Sequence, residues 1–519
     1  MPDDLPETGD DAGEDPEAAR PIRFAGGEIP AEIFTFLSRP SAQSLLVRGS
    51  SGTGKTTFAL GVLRRFPGRR VIATCWVERK RLEAFFPWIA GPEQGIEVID
   101  ASRTKDVRGI ARSRKLLRLS TGTPGWAVPR SEQWTWLPTP LQELWRSIEP
   151  GRPTLVVIDS WDALVESYLG LPATPTERIP DRSELERILL RSMSLVNASL
   201  ILVVERDDGT PLDHLVDGSV KLETRVADGR RERWLNVQKL RGVSLDEWEH
   251  PFTLDGGEFR TIPPIRHGAP DPALRSEPDP GGPRGFLWPG SSDFAEAFGR
   301  LPVGHLSLVE VDHGVSATGL RYVLLPMVDA VLEDGGRVLL SVPPTVRVDD
   351  LWSTIRARLP PQEVPRKVRV VVTGPATQLS EEVRPAVLRL PDPANGESPV
   401  YRDTLGFLMD GGPAPDGQNG AFHWHTGLRL LAESAGFEYN VDTAPQIVQQ
   451  HLADASAHLM IIGQHGDRVF GALGEMAAMH LRLRDRQGRI FVMGVRPRTQ
   501  SFALGDGLGS APYRLIPIV

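Results

Sequence analysis

Cysteine is almost absent from this chain of 519 residues: Cys75 stands alone, so no disulfide can form within it, and a reducing interior is the expected compartment. No apolar run approaches the roughly 18 residues of a membrane-spanning helix. The first twenty residues are acidic where a secretory signal would be basic, so the expectation is no membrane insertion and a cytoplasmic location. A net charge of -8 gives no global attraction to nucleic acid, although a local patch remains open. The guanine-reading motif N-K-x-D does not occur. His423 and His425 have no identifiable third partner, which makes them poor metal ligands. One absence is of a different kind: at 519 residues the chain is too long for a single ordinary core.

What is present falls into four parts. The first twenty residues hold eight acidic side chains and one basic one with almost nothing to bury, which predicts a disordered tail over 1–21. From 22 to 264, apolar strand-like runs alternate with helical stretches, the pattern of a mostly parallel α/β sheet. Eight prolines between Pro263 and Pro289, with scattered Gly and Asp, predict an extended linker over 265–291. A second α/β unit follows over 292–519, with helical signals at Leu320–Leu332 and Thr426–Ala435.

Within the first unit, Gly49-Ser50-Ser51-Gly52-Thr53-Gly54-Lys55-Thr56 matches the phosphate-binding pattern G-x-x-x-x-G-K-[ST]. The apolar run Ser44–Arg48 precedes it as a strand, and Thr57 begins a helical stretch, so the flanks are those the motif needs. The glycines let backbone N–H groups turn toward a phosphate at the positive end of the following helix. Residues Gly49 through Thr57 are the expected nucleotide-binding segment, with Lys55 placed to reach the β- and γ-phosphates and the Thr56 hydroxyl to hold Mg2+.

Further on, Thr154-Leu-Val-Val-Ile-Asp159 is an apolar strand ending in a carboxylate, suited to order the Mg2+ water shell beside Thr56. Asp162 reads either as a second acid of this site or as an ordinary first-turn charge of a helix. A group that orients attacking water is expected near the end of the strand after the loop's helix, and Glu78 is the nearest candidate. A solvated first-turn glutamate is the competing reading. Lys239 and Arg241 stand at i and i+2, a spacing that on a strand points both cations one way, toward a phosphate or toward solvent.

The second unit reads as a decayed copy. Leu306–Glu310 leads into Gly314-Val-Ser-Ala-Thr-Gly319, with Leu320 where the lysine belongs and Arg321 where the hydroxyl belongs. Gly336–Val342 parallels Arg70–Cys75, and Ala457–Gly463 parallels Thr154–Asp159 with glycine replacing the aspartate.

The order of these motifs resembles the KaiC branch of the RecA superfamily. The likeness takes in the Val216-Asp217-Gly218 turn and Lys239-Leu-Arg241-Gly242 followed by His250-Pro-Phe-Thr253. It covers most of 22–264 and, more faintly, the second half. Thr74-Cys-Trp-Val77 and Arg79–Trp88 look closer to archaeal KaiC-like regulators, including the gas-vesicle regulatory ATPase. The resemblance implies two tandem RecA-like domains, each a mostly parallel sheet flanked by helices, with ATP and Mg2+ as cofactors. It also implies a homo-oligomer, often a hexameric ring, in which Lys239 and Arg241 reach the neighbour's γ-phosphate. Two departures matter. Trp76-Val77 stands where KaiC carries adjacent glutamates, which argues for slow hydrolysis. The second unit lacks the residues for autophosphorylation, which argues against a clock role.

The resulting expectation is a regulatory ATPase that hydrolyses Mg·ATP slowly in its first domain to control assembly or a protein partner. A DNA-binding recombination or repair ATPase is the alternative from another class. Its support is Arg103–Arg118, with seven basic residues against Asp106, and the downstream Trp126, Trp134 and Trp136. That segment reads equally as a protein-contact surface or a solvated helix. A third alternative is a scaffold that senses ATP without turning it over.

Overall fold

Runs of Leu, Val and Ile too continuous to face water form the central strand of each half. Ser44–Arg48 (β1) is buried at all five positions. Successive side chains on a strand point to opposite faces, so β1 needs a cover on both sides. Leu45 and Val47 pack with Phe58, Leu60 and Val62 of Lys55–Arg65 (α2). Leu46 packs on the other face, in the cluster of Trp161 and Leu164 from Trp161–Leu169 (α4) and of Leu185 and Leu189 from Arg182–Leu195 (α5). Ala31–Leu37 (α1), Arg79–Phe85 (α3) and Leu212–Leu215 (α6) complete the helices that matter here.

The computed structural model describes most of residues 28–102, 152–265, 275–342 and 441–519, with shorter pieces between 143 and 148 and between 355 and 426. The expected acidic tail and the basic segment Arg103–Arg118 with Trp126, Trp134 and Trp136 lie outside the described residues. The chain divides into two units, one running to Arg225 and resuming over Arg233–Thr261, the other made of Val226–Glu232 and Ile262–Val519.

In the first unit the further strands are β2 (Arg69–Thr74), β3 (Ile96–Asp100), β4 (Thr154–Asp159), β5 (Ala198–Val203), β6 (Gly218–Ala227), β7 (Arg230–Leu240), β8 (Glu249–Thr253) and β9 (Arg260–Thr261). Their order across the sheet is β3-β2-β4-β5-β1-β6-β7-β8-β9. Pairing is parallel from β3 to β6, and antiparallel for β7 with β8 and β8 with β9.

In the second unit, β10 (Phe286–Leu287) pairs with β11 (Leu301–Pro302). The main sheet is built from β12 (Leu306–Val311), β13 (Arg337–Val342), β14 (Val368–Val372), β15 (Val387–Arg389), β16 (Ala421–Thr426), β17 (His458–Gln464), β18 (Met479–Arg486), β19 (Arg489–Arg496), β20 (Ser501–Asp506) and β21 (Tyr513–Pro517). Its order is β15-β14-β13-β16-β17-β12-β18-β19-β20-β21. Among the described residues, and leaving aside the edge strand β15, this is the order of the first sheet, strand for strand. Both units are therefore α/β with mostly parallel sheets flanked by helices, the tandem RecA-like arrangement. The flanking helices here are Ser292–Phe298 (α7), Ala317–Glu333 (α8), Val364–Lys367 (α9), Ala444–Ala455 (α10) and Arg468–Leu473 (α11).

The shared topology corrects how the two halves align. The ladder opens with Leu200 N–H donating to the Gln43 carbonyl and Asp217 N–H to that of Ser44. In the second unit Leu459 N–H donates to the His305 carbonyl and Ala478 N–H to that of Leu306. Ser44 thus corresponds to Leu306, Arg48 to Glu310, and the first residue of α2, Lys55, to the first residue of α8, Ala317. Ala317, not Leu320, occupies the lysine's position, and Thr318, not Arg321, that of Thr56. The partner of β4 is likewise β16, not β17. Asp159 is level with Val203, and Thr426 with Ile462, so Thr426 rather than Gly463 stands where the aspartate belongs. Thr426 accordingly ends a strand instead of opening a helix, and residues 427–440 lie outside the described set.

Of the proline-rich stretch expected to be an extended linker, residues 275–291 pack against the second unit. Ser276 N–H donates to Asp329 at 2.8 Å and its hydroxyl to Glu333 at 2.8 Å, both on α8. Leu287 and Trp288 are buried there. Two large apolar side chains supplied a packing surface that the proline and glycine content obscured.

Candidate nucleotide-binding site

The strand order decides which side chains meet. β5 lies between β1 and β4, and the registers put Val47, Val203 and Asp159 at one level. Two residues further along, Gly49 and Glu205 emerge side by side at the carboxyl edge of the sheet. This edge is where open α/β sheets bind ligands.

The loop between β1 and α2 is built around its glycines. Gly49 has φ 147°, and a Cβ there would lie 2.3 Å from the Leu222 carbonyl oxygen and 2.8 Å from Thr53 Oγ1. Gly54 caps α2 in the left-handed region with φ 100°, and the cap has no side-chain hydrogen bond. The first-turn N–H groups of α2 have no acceptor within the helix, as at any helix start. Ser50, Ser51 and Gly52 are exposed, Thr53 is buried and donates to the Ser50 carbonyl at 2.9 Å. Arg233 on β7 steadies the loop from beneath, donating to the Gly52 carbonyl at 3.0 Å.

Lys55 is buried to 6% exposure and folds back along the loop. Its Nζ donates to the carbonyls of Gly49 at 2.7 Å and Ser50 at 3.0 Å, and to Glu205 Oε2 at 3.0 Å. Thr56 Oγ1 donates to Asp159 Oδ2 at 2.6 Å. Desolvation by the surrounding protein pushes the Asp159 carboxyl up; the Thr56 hydroxyl and the Lys55 charge pull it down, while the Glu205 charge adds to the rise. A hydroxyl and a carboxylate held together beside a loop of N–H donors and an ammonium form the donor set that a divalent cation with a polyphosphate needs. The cradle at Gly49, which a Cβ would fill, fits the same group.

Other expected residues lie elsewhere. Thr57 lines a small cleft with Gly61, Arg64, Phe86 and Trp88. Glu78 is exposed at the cap of α3, beyond the end of β2. Nearer Asp159 stands Trp76, whose indole N–H donates to Ser160 Oγ at 2.8 Å. Lys239, near the end of β7, and Arg241, just past it, both reach the turn after α6. Lys239 Nζ donates to the carbonyls of Asp213 at 3.0 Å and Val216 at 2.6 Å, and Arg241 to Asp217 Oδ1 at 3.4 Å. Burial, with the Arg241 charge beside it, pulls the Lys239 ammonium down.

Asp162 is a structural acid here. One of its oxygens accepts from Arg182 at 2.6 Å and the other from the Glu205 N–H at 2.7 Å. Glu205 itself was missed by sequence reasoning. Its only signal was a carboxylate just past the apolar run of β5, which becomes informative once β5 is known to lie between β1 and β4.

No family model matches the chain. Protein GvpD2 of Halobacterium salinarum is 28% identical over 254 residues, 48% of this chain and 47% of that protein. The circadian clock oscillator protein KaiC of a Picosynechococcus strain is 24% identical over 245 residues, 43% of this chain and 41% of its own length. The chain thus spans about half the length of these curated relatives. The UPF0273 protein of Thermotoga maritima is 30% identical over 243 residues, which cover 92% of it and 43% of this chain. With this match, the shared sheet order and the loop geometry in place, the chain belongs to the UPF0273 family, within the KaiC-like branch of the RecA superfamily of P-loop ATPases.

Proposed function

We propose that the first unit binds Mg·ATP and hydrolyses it slowly, and that nucleotide state controls assembly or a protein partner. The observation that carries this is the meeting of Lys55 with the Thr56–Asp159 pair at one sheet edge. In this reading the N–H groups of residues 52–56 and the Lys55 ammonium hold the phosphates, and Thr56 and Asp159 hold the Mg2+. When bound, Mg·ATP supplies the phosphoryl group that water attacks. Trp76 supports slow turnover, because an indole is tied to Ser160 where a water-orienting acid would help. Lys239 and Arg241, at the end of β7, are held by the turn after α6 and not by the Lys55 loop, which supports a role toward a neighbouring subunit's nucleotide.

The second unit lacks the lysine and the carboxylate at the matching positions, so a structural or docking role is proposed for it. The test is to size the protein with and without Mg·ATP while measuring phosphate release on the same sample. Nucleotide-dependent assembly with turnover well below one per second, lost in Lys55→Ala, is expected. Stable monomers under both conditions, or turnover of several per second, would overturn the slow-switch reading.

A further inference from the structure

Lys55 is held by an acid that the phosphate-binding chemistry does not call for. Glu205 Oε2 lies 3.0 Å from Lys55 Nζ, with the lysine 6% exposed and the glutamate 39% exposed. The backbone beneath this carboxylate is fixed, since its N–H donates to Asp162, which Arg182 also holds. Two residues on, Asp207 stands 3.4 Å from the Ser50 hydroxyl and forms an ion pair with Lys221 at 3.0 Å. Two carboxylates therefore face the very loop whose donors suit an anion.

The second unit supplies an internal comparison. By the ladder correspondence, Ala317 takes the place of Lys55 and Gln464 that of Glu205. The copy without the lysine has an uncharged residue where the carboxylate was. Both charges are absent together, as expected if each exists for the other.

We propose that Glu205 is an internal counter-ion of Lys55, which a nucleotide's phosphate must displace in order to bind; this rests on the reading of Gly49–Thr56 as a nucleotide site. A phosphate oxygen and the Glu205 carboxylate compete for one ammonium, and the two anions repel each other across it. A triphosphate presents more charge near Lys55 than a diphosphate, so the displacement weighs most on ATP. From Glu205 the chain leads into α6, where Asp213 forms an ion pair with Arg48 and offers its carbonyl to Lys239. Displacing Glu205 thereby pulls on the chain that seats the basic pair.

The test uses the full chain and its Glu205→Gln variant, which keeps shape and hydrogen bonding but removes the charge. Calorimetric titration with Mg·ATP and Mg·ADP reads the affinities, and hydrogen exchange reads the amides of Glu205–Asp207 and Leu212–Asp217. A partly exposed pair of this kind makes a modest difference, so E205Q is expected to bind Mg·ATP about two- to fivefold more tightly than wild type. The gain is expected to be smaller for Mg·ADP and to shrink at high salt. In wild type, Mg·ATP is expected to change exchange at both segments. An E205Q affinity equal to or weaker than wild type, or unchanged exchange, overturns the counter-ion inference alone. Wild-type protein that binds no nucleotide overturns the nucleotide-site reading, and this inference with it.

Discussion

Thr56 Oγ1 donates to Asp159 Oδ2 at 2.6 Å, joining the helix after β1 to the end of β4 across 103 residues of chain. In the proposed Mg·ATP reading both oxygens would serve one cation, so the hydroxyl and the carboxylate act as one unit. Removing either should remove both from cation binding. Thr56→Val and Asp159→Asn are each expected to lower phosphate release on the order of a hundredfold, and the double variant little further. Thr56→Ser keeps the hydroxyl and is expected to retain most activity. Additive losses in the double variant would show that the two side chains act separately.

Gly49 tests the loop backbone without altering a charged side chain. A Cβ at this position would meet the Leu222 carbonyl oxygen at 2.3 Å, and a backbone atom on a sheet strand cannot move aside cheaply. Gly49→Ala is expected to cost about 1–3 kcal/mol in urea unfolding and to abolish nucleotide binding. Normal binding in a fully stable variant would mean the loop tolerates a different path.

The basic pair gives a mixing experiment. If Lys239 and Arg241 act on a neighbour's nucleotide, Lys55→Ala protein and Lys239→Ala/Arg241→Ala protein are each inactive but complementary. Equimolar random mixing should then restore about a quarter of wild-type turnover, since one site in four combines an intact loop with an intact neighbour. Action within one subunit predicts no recovery.

Acid should weaken the second unit through two side chains with different windows. His458 is fully buried, its Nδ1 2.8 Å from the Pro302 carbonyl, and burial pushes it down to about 4 from 6.5. Below pH 6.5 the unfolded histidine binds a proton that the folded one refuses until about 4, so stability falls as pH drops through that window. The loss is on the order of 3 kcal/mol, and His458→Asn, which keeps a donor at the Nδ1 position, should flatten it.

Glu310 governs the next window. Burial raises its carboxyl, but the contacts with His480 at 2.9 Å and His465 at 2.7 Å outweigh this and bring it down to about 2 from 4.5. Its contribution is therefore present above pH 4.5 and lost between 4.5 and about 2, and Glu310→Gln should remove that slope. Urea midpoints between pH 7 and pH 3 measure both.

Much of this protein was legible in its residues. The motif Gly49–Thr56 and the apolar run closing on Asp159 are local patterns, because glycine conformations, a helix start and a buried strand depend on nearby sequence. The alternation of strand and helix signals likewise carried the α/β class of both halves. Which side chains meet is a different matter. Gly314–Gly319 matches the loop spacing, yet the loop's frame is set by where β12 begins and α8 starts, and those place Ala317 at the lysine's position. Ala457–Gly463 looks like Thr154–Asp159 because buried parallel strands share one composition, while hydrogen-bond register distinguishes them. Glu205 reaches Lys55 only because β5 inserts between β1 and β4. The sequence alone determined that a phosphate loop is present and intact only in the first half. Tertiary structure decided which acid stands against its lysine, because strand order is fixed by long-range pairing that no local pattern records.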